Sequence, residues 1–267
     1  METVKVNAII VRELNVGESD KLITALTDSL GKITVTCKGV RSIKSKRLAS
    51  AQLFSYGELL LSVRGGKYYL SDATIENSFF ELNTSIEKLA LAQYFCQVVG
   101  AVTVENEDQR EILSLLLNSI FILCYKDKDL RLVKAVFEMR LCSLLGYCPD
   151  LFSCEYCSKE ISESDLLGLC LDIGGGSLIC PSCLLEEENA GIVPSGSAGS
   201  ARAPLSPATV VALRYIISAH PKKIFAFQIS DTELSNLAAI TERYLLYHLD
   251  RGFETLDFYK SLLKDPF

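Results

Sequence analysis

Cys154, Cys157, Cys180 and Cys183 form two Cys-x-x-Cys pairs with 22 residues between them. Each pair can present two thiolates from one tight turn. Two such turns facing each other make a tetrahedral cage for one Zn²⁺. The interval is somewhat longer than the roughly 15–20 residues of the commonest zinc ribbons, which one long hairpin between the pairs explains. Four protein ligands leave no position for water, so the spacing predicts a structural zinc and no Lewis acid. A thioredoxin-like redox pair would need a βαβ setting. Here the first pair follows Tyr147, Pro149 and Asp150, a loop after a helix. Pro181, inside the second pair, suits a knuckle turn.

A second constellation is basic. Residues 29–70 carry Lys32, Lys38, Arg41, Lys44, Lys46, Arg47, Arg64 and Lys67 against the single acid Glu58, although the chain as a whole has a net charge of −6. Local imbalance, not the total, decides what a face attracts. Lysines and arginines on a loop between strands can follow a phosphate backbone without reading sequence. Phe54, Tyr56, Tyr68 and Tyr69 lie in the same region and could stack on bases. The competing reading is a solvated loop beside core aromatics, since neighbours on a strand face opposite sides.

Catalysis has little support. The two histidines, His220 and His248, lie in no nucleophile motif. His248, near a helix end, is expected to be favoured by the helix dipole. Glu186-Glu187-Glu188 reads as solvated surface. With 49% hydrophobic and 22% charged residues the chain can bury a sizeable core. The start METVKVNAII lacks a signal-peptide pattern. The apolar run Ile112–Cys124 is too short for a membrane span and reads as a buried helix. Cys96, Cys124 and Cys142 fall in apolar helical patterns as small hydrophobes. Cys148 and Cys170 are spare thiols near the pairs. Reduced cytoplasm is the expected compartment.

These groups need elements to position them. Val4–Val11, Lys21–Thr27, Lys32–Lys38, Gly57–Val63 and Lys67–Ile75 are β-prone runs divided by Gly17, Gly31, Gly39 and Gly65-Gly66. Ile33, Val35 and Cys37 alternate with Thr34, Thr36 and Lys38. Five short strands predict a small closed or nearly closed barrel of the OB type, a frequent nucleic-acid binder. Helices follow. One is opened by Thr84-x-x-Glu87 and runs to about Val104. Others cover about Asp108–Tyr125 and Leu130–Leu145, the latter stopped by Gly146. Gly174-Gly175-Gly176 reads as a hairpin tip. The Ala/Gly/Ser/Pro-rich stretch 190–205 reads as a flexible connection. Ser206-Pro207 opens a helix to about Ala219, and Ser230-x-x-Glu233 opens a last one to about Leu249.

The fold class is therefore α+β. The expected domains are an OB barrel over 1–80, a helical domain over 81–149 and 189–267, and a four-cysteine zinc ribbon inserted at 150–188.

Several segments resemble the RecO family of bacterial recombination mediators over nearly the whole chain. They are Leu30-Gly31-Lys32 through Cys37-Lys38-Gly39-Val40-Arg41 with Lys44-Ser45-Lys46, and Phe137-Glu138-x-Arg140-Leu141 through Leu144-Leu145-Gly146-Tyr147-x-Pro149. The two cysteine pairs match the zinc-bearing members, and Tyr244-Leu245 through His248-Leu249 resembles the terminal helix. Asp250-Arg251-Gly252-Phe253-Glu254 departs from the family, which is usually more basic there, and this weakens the case for DNA contact by that helix. The resemblance implies a non-enzymatic protein that binds single- and double-stranded DNA, anneals complementary strands and acts at the nucleoid. It also implies cooperation with RecR, contact with the acidic tail of single-stranded-DNA-binding protein and help in loading RecA. An acidic tail ending in hydrophobic residues would want an apolar groove with basic side chains, for which Arg131, Lys134, Arg140 and Arg243 are candidates. Arg140 can equally brace the helical packing. A scaffold that grips another protein through its zinc ribbon, without DNA affinity, is the alternative.

Overall fold

Strands whose residues alternate between dry and wet surroundings can curl into a barrel with a packed interior. In a computed structural model, which describes residues 2–42, 45, 47–189 and 202–264, the first part of the chain does so. Strands β1 (Glu2–Val16), β2 (Asp20–Thr27), β3 (Lys32–Cys37), β4 (Tyr56–Arg64) and β5 (Lys67–Asn77) close in the order β1-β2-β3-β5-β4. All pairings are antiparallel except β3 with β5. The strands match the expected runs; β3 ends one residue short, at Cys37, and the others extend by one or more residues, most of all β1, which continues five residues past Val11. Ile23, Val35, Leu61 and Leu70 fill the interior with Val6, Ile10, Ile33 and Cys37. Gly31, at φ +65°, makes the β2–β3 turn. A Cβ there would meet the Val104 carbonyl at 2.3 Å, so only glycine permits this close approach.

Contacts divide the chain into two compact units, Met1–Lys128 with Phe253–Phe267, and Asp129–Gly252. The helices expected in one domain are shared between them. The first unit contains α1 (Ile86–Val102), α2 (Arg110–Tyr125) and α7 (Glu254–Lys264) beside the barrel. The N-cap of α1 is Ser85, not Thr84: its hydroxyl accepts the Lys88 amide. Helix α7 was not expected. It packs on α1, where the Tyr94 and Phe253 rings meet edge-on at 5.9 Å and Gln97 Oε1 accepts the Thr255 hydroxyl at 2.5 Å. Phe253, Leu256 and Tyr259 are buried there, each worth about 1.5–3 kcal/mol of apolar burial.

The second unit contains α3 (Leu130–Leu144), α5 (Pro207–Ser218) and α6 (Asp231–Leu249), together with the cysteine segment. Ser206 and Ser230 cap α5 and α6 as expected, accepting the amides of Thr209 and Glu233. The cysteine segment forms β6 (Asp150–Cys154), β7 (Cys170–Asp172), β8 (Ser177–Ile179) and α4 (Pro181–Asn189). The glycine triplet is the tip of the β7–β8 hairpin. It packs against α6 so closely that a Cβ on Gly176 would lie 2.7 Å from the Tyr244 hydroxyl.

Two expectations fail here. Residues 202–204, read as flexible connection, form strand β9 (Arg202–Pro204) along β7, so the sheet runs β6-β8-β7-β9. The rest of that stretch, residues 190–201, lies outside the described residues. Pro181 sits at the start of a helix, not in a knuckle loop; its missing N–H costs nothing there because first-turn donors have no helical partner.

Candidate metal centre and nucleic-acid interface

Cys154 ends β6, and Cys157 follows one turn later. Cys180 follows β8, and Cys183 lies in the first turn of α4. Their four Sγ atoms lie within 4.8 Å of one another. Cys154 and Cys183 are 3.9 Å apart, and Cys157 and Cys180 3.8 Å. A disulfide would bring sulfurs to about 2.05 Å. A tetrahedral metal with bonds of about 2.3 Å sets them about 3.8 Å apart. The spacing therefore fits a tetrahedral thiolate centre, and these residues could hold a metal ion. Cys154, Cys180 and Cys183 are buried, and Cys157 is exposed. Cys148 and Cys170 are not members of the cluster.

The local electrostatics favour loss of the first proton. Burial opposes ionisation of Cys154, but backbone N–H groups of Cys157, Cys180 and Tyr156 point at its sulfur and bring it down to about 6. The Cys180 amide lies 3.3 Å from that sulfur. Cys183 is pushed well above the usual thiol range by burial and by hydrogen bonding with the other three thiols. A cation would relieve this by replacing protons on the crowded sulfurs.

Side chains from α5 and β9 fasten this segment. Arg214 donates to the carbonyls of Leu151 at 2.6 Å and Ile161 at 2.8 Å, with its guanidinium 4.7 Å from the centre of the Phe152 ring. Arg202 makes a two-pronged pair with Glu187 at 2.6 and 3.1 Å. Glu187 was expected as plain solvated surface, and Arg202 as linker; strand pairing of β9 with β7 brings them together.

His248 departs from expectation as well. It is half-buried against Tyr147, Tyr244 and Tyr247, with ring centres 4.9, 4.3 and 5.4 Å away. Burial lowers its pKa, only partly opposed by a hydrogen bond with the Ile173 backbone, so desolvation outweighs any helix-end dipole.

The basic residues of the barrel separate into two groups. Lys32 and Arg47 serve the fold. Lys32 donates to the Gly100 carbonyl near the end of α1 at 2.7 Å. Arg47 donates to the carbonyls of Leu70 at 2.8 Å, Ser71 at 3.2 Å and Lys38 at 3.4 Å. Lys38, Arg41, Arg64 and Lys67 are exposed. Arg41 leans on the β1–β2 turn, donating to the Gly17 carbonyl at 3.1 Å. Lys44 and Lys46 lie outside the described residues.

Of the four aromatics, Phe54 is buried, and Tyr68 packs against the barrel core. Tyr56 begins β4 and is half-buried. Tyr69 faces outward, half-buried. Lys38 Nζ lies 5.8 Å and Arg64 Cζ 5.7 Å from its ring centre. Cations at that range are attracted to the ring face. Two residues picked out by charge and one by ring chemistry thus meet at one point.

The peptide-contact candidates are mostly committed elsewhere. Arg131 bridges Asp129 and Asp231, each at 2.6 Å. Lys134 is buried between Glu138 and Glu242, both at 2.8 Å, and presents no surface to a peptide. Burial alone would push its ammonium down; the two carboxylates prevail and raise it. Arg140 donates to the Ile216 and Ile217 carbonyls, closing the end of α5, as the bracing alternative anticipated. Arg243 is exposed on α6.

Comparison with known proteins identifies the family. Residues 1–79 match the family description "Recombination protein O N terminal", and residues 83–257 match "Recombination protein O C terminal". The chain belongs to the RecO family. The "DNA repair protein RecO" of Acetivibrio thermocellus is 30% identical over 262 residues, covering 98% of each chain. That of Alkaliphilus metalliredigens is 25% identical over 97% of this chain and 99% of its own. That of Caldicellulosiruptor bescii is 25% identical over 98% and 100%. The RecO N-terminal match ends just after β5, so it coincides with the barrel. The RecO C-terminal match includes the cysteine cluster, α5 and α6, and the first turn of α7. Among the described residues no helix is long and apolar enough to cross a membrane.

Sequence reasoning missed α7, Arg202 and Arg214. Phe253, Leu256 and Tyr259, three residues apart, carry the helical signal for α7. Nothing in the local sequence around Arg202 or Arg214 announces partners so distant in the chain.

Proposed function

We propose that this protein is a non-enzymatic DNA-repair mediator. It binds single- and double-stranded DNA, anneals complementary strands, and works with RecR to load RecA onto DNA coated by single-stranded-DNA-binding protein, in the cytoplasm at the nucleoid. The observation that carries the reading is the meeting of Lys38, Arg64 and Tyr69 on the outer face of an OB barrel. In this fold the β2–β3 face and the β1–β2 and β4–β5 loops bind nucleic acid. Arg41 lies against the first of those loops, and Arg64 and Lys67 flank the second. Four exposed cations there can displace counterions from phosphates, which yields affinity without sequence preference.

The four thiolates bind Zn²⁺, which when present supplies a rigid crosslink between β6 and α4 and no open coordination position. Arg214 and the glycine tip then hold that unit on α5 and α6. An apolar cavity of about 520 Å³ lined by Pro207, Val211, Tyr215, Phe227 and Ile229 supports binding of the hydrophobic end of the acidic tail of single-stranded-DNA-binding protein; of the basic candidates, Arg243 is exposed on α6 but does not line that cavity.

A scaffold reading has one observation in its favour. Phe152, Tyr156, Leu167 and Leu185 around the cysteine unit are 51%, 49%, 74% and 59% exposed, an apolar surface that a protein partner would cover. Replacing Lys38, Arg41, Arg64 and Lys67 together by Ala separates the readings. Loss of binding to single-stranded oligonucleotides with unchanged melting supports the mediator; a wild-type protein that binds no oligonucleotide supports the scaffold.

A further inference from the structure

The connection between β3 and β4, residues 38–55, is far longer than the turns that join the other barrel strands. A connection of that length samples many shapes unless its ends are held. The first two residues of β2 hold both ends. Asp20 takes the near end. Its Oδ1 accepts the Gly39 amide at 2.7 Å, and beside it the Ser19 carbonyl accepts the Arg41 amide at 2.9 Å. Lys21 takes the far end. Its ammonium donates to the Ala51 carbonyl at 3.2 Å and to Glu13 Oε2 at 2.8 Å, and that same oxygen accepts the Leu53 amide at 3.2 Å. The Lys21 side chain is 8% exposed, so it serves the loop and offers nothing to a ligand. Asp20 is half-buried. Its partner Gly39 follows Lys38 and lies two residues before Arg41, both of them exposed cations.

We propose that Asp20 is a positioning residue for polyanion binding: through the Gly39 amide it fixes the backbone that carries Lys38 and Arg41, and so raises affinity for a polyanion although it is itself an anion. The inference rests on the DNA-binding reading above and adds a residue that acts on it without touching DNA. The field of a carboxylate beside a phosphate site works the other way, since like charges repel. The hydrogen bond outweighs that repulsion because a carboxylate accepting a backbone N–H makes a short, strong contact. The two cations also lean on fixed points, Lys38 on the Tyr69 ring at 5.8 Å and Arg41 on the Gly17 carbonyl at 3.1 Å. Those contacts hold together only while the backbone between them keeps its course. A binding group is only as precise as the residues that support it.

The test compares full-length wild type, Asp20→Asn and Asp20→Ala by fluorescence anisotropy with an oligothymidylate at several salt concentrations. Asn keeps an acceptor for the Gly39 amide and drops the charge; Ala drops both. Asp20→Asn is expected to bind at least as tightly as wild type, with the same salt slope. Asp20→Ala, of equal charge, should bind about fivefold more weakly than Asp20→Asn, with the slope of log affinity against log salt lower by about one. Deuterium uptake followed by mass spectrometry is the second readout. Residues 38–42 should exchange faster in Asp20→Ala and at the wild-type rate in Asp20→Asn. If Asp20→Ala melts early, Asp20→Ser takes its place, because its hydroxyl ends a bond short of the carboxylate oxygen. Equal affinity of the Asn and Ala variants, beside a wild type that binds, overturns the positioning role alone. Uptake over 38–42 that the Ala variant leaves unchanged overturns it too. A wild type that binds no oligothymidylate overturns the DNA-binding reading and the positioning role together.

Discussion

Arg64 and Tyr69 come from opposite arms of the β4–β5 hairpin, and the guanidinium lies 5.7 Å from the ring centre. The hairpin thereby presents a cation and a ring from one rigid element, next to Lys38 at the end of β3. Rigid placement matters for a binder without sequence preference, because no base-specific hydrogen bonds compensate for loose geometry.

Removing these cations should leave a measurable electrostatic signature. Lys38→Ala with Arg64→Ala is expected to weaken oligonucleotide binding about tenfold or more at moderate salt. It should also lower the slope of log affinity against log salt by about two, one for each lost phosphate contact. Titrations at three or more salt concentrations give that slope. Because both side chains are exposed, melting should stay within a few degrees of wild type.

The same charge type read from sequence did not separate these residues from Lys32 and Arg47. A lysine or arginine in a strand-rich stretch carries no mark of which carbonyl it will meet. Lys32 is directed to Gly100 by the packing of α1, and Arg47 to Leu70 and Ser71 by the return of its loop over β5. The barrel itself was legible because its strands are short β-prone runs divided by glycines and because β3 alternates throughout, Ile33, Val35 and Cys37 inward against the threonines. The cysteine pairs were legible because two Cys-x-x-Cys turns are the spacing a tetrahedral thiolate site needs, and the four Sγ atoms do gather within 4.8 Å. Strand β9 was not: three residues in a Gly/Ser-rich stretch become a strand only because β7 offers a free edge.

Cys180→Ser should abolish stoichiometric zinc. Elemental analysis of purified protein is expected to give about one zinc per wild-type chain and markedly less in the variant. The melting temperature should fall by several degrees, because metal binding is coupled to folding of the segment. A variant that keeps full zinc and an unchanged melt would remove Cys180 from the ligand set.

Lys134 neutralises two carboxylates in the interior, Glu138 and Glu242, with side-chain exposures of 0% and 17%. Lys134→Met keeps the stem but strands Glu138 without its cation. The expected loss is about 3–5 kcal/mol in chemical denaturation, the usual cost of breaking one partner from a buried pair. Adding Glu138→Gln should recover part of it. A single variant within about 1 kcal/mol of wild type would contradict a structural role for the pair.

His248 makes the fold sensitive to mild acid. Its folded pKa is lowered by burial, so below the ordinary value of about 6.5 the unfolded chain binds the proton more readily. The stability due to the neutral ring is fully present above about 6.5 and is lost as pH falls through the lower folded value. His248→Phe keeps a ring among Tyr147, Tyr244 and Tyr247 but cannot titrate. Its melting temperature should fall less than that of wild type between pH 7.5 and 5.5, as differential scanning fluorimetry would show.

The central claim is tested most directly by the annealing of two complementary oligonucleotides, followed with and without the protein, in low and high salt, and without nucleotide. The account predicts acceleration that needs no ATP, fades as salt rises, and disappears when Lys38, Arg41, Arg64 and Lys67 are replaced by Ala. Absence of acceleration by a wild-type protein that is folded and zinc-loaded would contradict it.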